Sequence, residues 1–76
     1  MSIQEDVFAK IAEIKGLDKS VLTPETTFLD VGADSLDMVE FSLDLEQMFG
    51  INITDKDIVG IKTIGHAIEF IEKNKK

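Results

Sequence analysis

Gly32-Ala33-Asp34-Ser35-Leu36-Asp37-Met38-Val39-Glu40 is the stretch on which the reading of this chain turns. A Gly-Ala pair closes an irregular segment, and Asp34, a residue type whose carboxylate caps orphan helix N–H groups, precedes a run with helical apolar spacing. Asp37 stands three residues further on, at the reciprocal position of a capping box. The helix therefore starts at Ser35, and Gly50 after Phe49 supplies its stop. Advancing about 100° per residue, Met38, Phe41, Leu45, Met48 and Phe49 share one face, while Leu36, Val39 and Leu43 gather nearly opposite. A small bundle can bury one of these faces, so the second stripe is expected outside, with Asp37, Glu40 and Asp44 along one side of it and Glu46 along the other. Ser35 is left as an exposed hydroxyl where a loop becomes a helix.

The flanking segments read as further helices. Ser2-Ile3-Gln4-Glu5 has capping-box spacing, and Ile3, Val7, Ile11 and Ile14 then fall on one face until Gly16. From Leu17 to Ala33 runs a long connection, broken at Thr23-Pro24-Glu25 and Gly32. So small a domain tolerates such a loop only if it is pinned, and Phe28 and Leu29 are the expected pins, with Leu22 and Val31 as further apolar anchors. Ile51-Asn52-Ile53 is too short for a sheet, and Thr54-Asp55-Lys56-Asp57 caps one short turn through Ile58 and Val59. Thr63 caps a last helix on which Ile64, Ala67, Ile68 and Ile71 follow the i, i+3, i+4, i+7 pattern, with lysines at its C-terminal end. The fold class is all-α: a small bundle of three main helices plus one short helix, with a long loop between helices one and two, as a single domain over residues 1–76.

Composition narrows the chemistry. A chain of 76 residues buries roughly 60% of its unfolded surface and has no room for a deep catalytic cleft. Without cysteine it has no disulfide, no Cys zinc site and no thiol of its own. The acidic N-terminus has neither the basic nor the apolar stretch of a signal peptide, and no apolar run is long enough for a membrane, so a cytoplasmic protein without membrane insertion is expected. Between Lys19 and Lys56 lie eight acids and no base, whereas the remainder holds seven acids against eight lysines. Such a segment repels nucleic acid and attracts basic protein surfaces. The plainer reading is that the acids only keep a small domain soluble; their concentration in one segment favours the docking reading.

The run Phe28-Leu29-Asp30-Val31-Gly32-Ala33-Asp34-Ser35-Leu36-Asp37-Met38-Val39-Glu40 resembles the phosphopantetheine attachment site of acyl carrier proteins, and the placing of the flanking helices agrees over essentially the whole chain. The resemblance implies a 4'-phosphopantetheine group, delivered from coenzyme A by a separate phosphopantetheinyl transferase and joined covalently to Ser35. It also implies a non-catalytic monomer that carries growing acyl chains as thioesters to fatty acid synthesis enzymes bearing basic docking patches. Partner contacts implied in the same way are Asp34, Leu36, Asp37, Val39, Glu40, Leu43, Glu46, Ile53 and Asp55. An acyl pocket would be lined by Phe28, Phe41, Leu45, Ile58, Ile61, Ala67 and Ile68. The chain departs from the usual pattern at Val31, Asp44, Gln47, Met48, Thr54 and Lys56.

Other classes stay open on the residues alone. A specialised carrier of polyketide or aminoacyl cargo shares the same site, and an unmodified acidic adaptor would use the second stripe without any group on Ser35. Ser35 would then be an ordinary helix-start serine. Gly-Ala-Asp-Ser-Leu also resembles the nucleophile motif of GDSL hydrolases, but those need a larger fold and a His-Asp pair, and the one histidine here is His66 inside the last helix. The acids lack the spacing of an EF-hand, so no metal is expected.

Overall fold

The computed structural model describes residues 2–75. Four helices follow one another: α1 (Ile3–Lys15), α2 (Ser35–Phe49), α3 (Asp55–Gly60) and α4 (Ile64–Asn74), with a single 3₁₀ turn at Lys19–Val21 early in the long loop. Among the described residues there is no strand, only one isolated antiparallel bridge between Thr27 and Thr63. Each helix starts at the expected cap. The Ser2 Oγ accepts from the Glu5 N–H, though only that half of a capping box forms, whereas Asp34 with Asp37 and Thr54 with Asp57 make both bonds. Gly16 and Gly50 end α1 and α2 with φ of 66° and 65°, the left-handed conformation that glycine adopts without a Cβ penalty.

One hydrophobic cluster holds the helices together. Val7, Ile11 and Ala12 of α1, Phe41 and Leu45 of α2, and Ile64, Ala67, Ile68 and Ile71 of α4 are all buried. The expected core face of α2 needs two changes. Met48 is 42% exposed, because it lies at the edge of the apolar arc in the last turn, while Ser42, at the other edge, is buried and donates to the Val39 carbonyl at 2.8 Å.

The long loop is pinned, but by one phenylalanine rather than by a Phe-Leu pair. Phe28 enters the core and meets Phe41 with ring centroids 5.4 Å apart, a contact of about 0.5–1.5 kcal/mol beyond area burial. Leu29 points out instead and is 84% exposed, since Phe28 already occupies the inward direction. Leu22 is buried, and Val31 and Ala33 pack on the core from the same loop.

Backbone bonds do the rest. Phe28 N–H donates to the Lys62 carbonyl, Ile64 N–H to Thr26 and Gly65 N–H to Pro24, at 3.1, 3.0 and 2.8 Å. The loop carbonyls thereby satisfy the first N–H groups of α4, which have no partner within their own helix. His66 completes this end: its N–H donates to Thr63 Oγ1 and its Nδ1 accepts from the N–H groups of Lys62 and Thr63. Gly65 is needed for the close approach, because a Cβ there would lie 2.9 Å from the Pro24 carbonyl oxygen. Gly65→Ala should therefore push loop and helix apart and cost about 1–3 kcal/mol by overpacking, whereas Gly60→Ala, which meets nothing within 4 Å, should leave the thermal unfolding midpoint unchanged or slightly raised.

Candidate functional site

Asp34 takes an extended conformation and locks the start of α2 from both sides. Its Oδ1 accepts from the Asp37 N–H at 2.9 Å, and its own N–H donates to Asp37 Oδ2 at 3.1 Å. Ser35 and Leu36 follow as the first two helical residues, both exposed. Among the described residues their N–H groups have no acceptor, in contrast to the corresponding groups of α4, which the loop fills. That leaves two donors and the positive end of a 15-residue helix beside an exposed hydroxyl, an arrangement that favours an oxyanion. The other serines are placed differently: Ser2 is occupied as an N-cap, Ser42 is buried and bonded, and Ser20 lies in the 3₁₀ turn of the loop.

The second stripe of α2 is outside, as its spacing requires: Leu36 is 78% exposed, Val39 48% and Leu43 54%. The acids around it divide into two kinds. Asp34 and Glu40 are exposed. Asp37 pairs with Lys15 at 2.8 Å, and Asp44 lies 3.9 Å from Lys10, so lysines of α1 reach back over one side of α2. Glu46 is drawn toward the α2–α3 connection, where it accepts the Ile53 N–H at 2.7 Å. Ile53, expected among the partner contacts, is instead in the core at 9% exposure, held there as the short connection turns inward between α2 and α3. Asp55 is exposed at the start of α3.

Comparison with known proteins agrees with this geometry. The family model described as phosphopantetheine attachment site matches residues 5–71. An acyl carrier protein of Helicobacter pylori (strain G27) is 43% identical over 99% of this chain and 97% of its own length. The chain belongs to the acyl carrier protein family. A meromycolate extension acyl carrier protein of Mycobacterium leprae is 40% identical over 92% of this chain and 65% of its own length. Among solved structures, an acyl carrier protein of Enterococcus faecalis superposes with a TM-score of 0.74 at 34% identity, covering 95% of this chain and 98% of that one. An apo doublet acyl carrier protein from prodigiosin biosynthesis superposes with a TM-score of 0.82 at 27% identity, over 96% of this chain and 36% of that one. The phosphopantetheine group that defines the family needs an accessible hydroxyl and room for a phosphodiester, and the Ser35 turn meets both conditions.

The interior of this acyl carrier is nearly closed. A void of about 10 Å³, the space of roughly one water, lies among Phe41, Leu45, Ile53, Ile58 and Ile61, and a second of about 10 Å³ lies under the loop beside Phe28, Val31 and Met38. Outside, an open groove of about 400 Å³ runs between the loop and α3, with Phe28, Met38, Ile58 and Ile61 along it and exposed Leu29 and Val59 at its lips. The seven expected acyl-pocket residues thus separate: Phe28, Phe41, Leu45, Ile58 and Ile61 border a void or the groove, whereas Ala67 and Ile68 are packed within the core. Among the described residues no helix is long and apolar enough to cross a membrane, and no three metal-ligating side chains cluster. His66 has its Nδ1 committed to capping α4.

Sequence reasoning missed Lys15. Its Nζ donates to Asp37 Oδ2 at 2.8 Å and to the Gly32 carbonyl at 3.1 Å. Only the placing of a lysine in the last turn of α1, where a cation suits the helix C-terminus, hinted at it. The Lys15 bond, followed by the Asp34 N–H, holds the Asp37 carboxyl below the ordinary carboxylate range, and the same bond raises Lys15. The Asp30 carboxyl is lowered by the Thr27 N–H and the Asp18 carboxyl by the Ser20 N–H. A lowered folded value means stability that is present above the unfolded carboxylate pKa of about 4 and lost as pH falls through the folded value. For Lys15 the sign reverses: its contribution is complete below about 10.4 and lost as pH rises through the raised value. The thermal unfolding midpoint should therefore fall on acidification below about pH 4, and Asp37→Asn should make that acid limb shallower while lowering the midpoint at neutral pH.

Proposed function

We propose that this chain carries acyl groups on a 4'-phosphopantetheine arm joined to Ser35 and delivers them, as a monomer, to separate enzymes of fatty acid synthesis. The observation that supports this best is the exposed Ser35 hydroxyl at an unfilled helix N-terminus, next to an uncovered apolar stripe, in a chain of the acyl carrier family. When bound, the group supplies the thiol that a chain without cysteine lacks, and the acyl chain is held there as a thioester. Ser35 would receive it from coenzyme A through a phosphopantetheinyl transferase, with the free N–H groups of Ser35 and Leu36 facing the phosphate. The chain performs no bond chemistry on its cargo; it raises the effective concentration of the acyl group at each partner.

Docking falls to Leu36, Val39 and Leu43, with Asp34, Glu40 and Asp55 as the exposed acids that meet basic patches. A field of this kind speeds encounter and sets orientation more than it adds affinity. Cargo would be sheltered through the groove between the loop and α3. Each buried methylene contributes about 0.8 kcal/mol, and the small voids behind Met38 must widen to admit it. A specialised pathway is the second reading, favoured by the likeness to the meromycolate extension and prodigiosin carriers.

Incubation of the apo protein with coenzyme A and a broad-specificity transferase should add one pantetheinyl group by intact mass, and Ser35→Ala should add none; an unmodified wild type would leave an acidic adaptor. Glu40→Lys should slow loading by synthase and transferase roughly tenfold at low salt and less at high salt. Octanoyl loading should shift the methyl resonances of Met38, Ile58 and Ile61 more than those of Ala67 and Ile68.

A further inference from the structure

Lys15 lies twenty residues before Ser35 and does not touch it, yet its ammonium grips the chain on both sides of that serine. On the near side it takes the carbonyl of Gly32, whose φ of 73° belongs to the tight turn ending the loop. On the far side it takes Asp37 Oδ2, the same oxygen that accepts the Asp34 N–H at 3.1 Å and so closes the capping box of α2. The Lys15 and Asp37 side chains are each 24% exposed, whereas Asp34 and Glu40 stand in the open. Asp37 therefore has its charge matched within the molecule, and both donors converge on one of its oxygens.

We propose that Lys15 is a positioning residue for the Ser35 site: it clamps the loop-to-helix junction from Gly32 to Asp37, so that the serine is presented in one geometry, and it withdraws Asp37 from the acids read by partners. The inference rests on the carrier reading of Ser35. Its physical basis is that transfer to a hydroxyl depends steeply on where the hydroxyl sits; an error of about 1 Å can cost up to 10²-fold in rate. The closing turn of the loop and the first turn of α2 have to share one arrangement, and the Lys15 ammonium is the group that bonds to both. A partner cation approaching Asp37 Oδ1 would meet a carboxylate whose other oxygen is already paired with Lys15.

The two roles separate in the kinetics of pantetheinyl transfer. Wild type, Lys15→Met, Lys15→Arg, Asp37→Asn and the Lys15→Met/Asp37→Asn double variant would be followed by intact mass with coenzyme A and a broad-specificity transferase. In parallel, ¹⁵N order parameters would be measured over Gly32 to Asp37. A clamp predicts that Lys15→Met lowers kcat about tenfold with KM for the carrier nearly unchanged, that Lys15→Arg restores most of the rate, and that the double variant is no slower than the single ones. The order parameters should fall toward about 0.6 in Lys15→Met and recover in Lys15→Arg. A direct partner contact predicts the opposite: unchanged order parameters, a lower KM in Lys15→Met as Asp37 is freed, and a raised KM with weaker salt dependence in Asp37→Asn; that pattern would overturn the proposal. Failure of the carrier reading looks different again, because then the wild type gains no mass; the positioning role falls with it, whatever the order parameters show.

Discussion

The rest of the structure depends on the fastening of the long loop across the start of α4. The first N–H groups of a helix have no partner within it, and here the carbonyls of Thr26 and Pro24 accept those of Ile64 and Gly65. In exchange the loop gains a register, because the Phe28 N–H must then meet the Lys62 carbonyl and its ring must enter the core against Phe41. With Phe28 fixed, the turn through Gly32 and Ala33 is placed, and α2 can start only where it does. A segment with little regular structure of its own thus sets the position of Ser35.

The two helix N-termini treated in opposite ways explain how such a domain is both stable and available. At α4 the donors are filled by the loop, by Thr63 and by His66. At α2 the capping box between Asp34 and Asp37 satisfies one pair of groups and leaves those of Ser35 and Leu36 to solvent. The same division holds for charge. Lysines of α1 pair with Asp37 and lie near Asp44, so along α2 itself the exposed acids are Asp34 at its cap and Glu40, with Asp55 exposed at the start of α3. The outer face of α2 is thus an apolar stripe edged by a few exposed acids rather than a uniformly negative surface.

Much of this was legible in the sequence wherever the cause is local. Caps at Asp34, Thr54 and Thr63, the stops at Gly16 and Gly50, and the i, i+3, i+4, i+7 row of α4 act within a few residues, and each is found as read. The outer stripe of Leu36, Val39 and Leu43 followed from counting two apolar faces on one helix. What escaped depends on contacts distant along the chain. Leu29 and Phe28 are both large and apolar, and it is the register of the loop, with the Phe28 N–H on the Lys62 carbonyl and its ring against Phe41, that goes with Phe28 turning inward. Ile53 is buried where the connection between α2 and α3 turns inward, with its N–H on Glu46, and no spacing announces that turn or that Lys15 will reach Asp37. Met48 failed because a wheel assigns a direction without saying where along the helix the core ends.

The central claim is that this fold presents one serine, and only that serine, as the point of attachment. It is tested most directly by isolating the protein from cells that supply a phosphopantetheinyl transferase, digesting it, and locating the group by tandem mass spectrometry. The account predicts the phosphodiester on the peptide containing Asp34-Ser35-Leu36, with Ser2, Ser20 and Ser42 unmodified. A group found on another serine, or a Ser35 left bare in cells whose other carriers are fully modified, would contradict it.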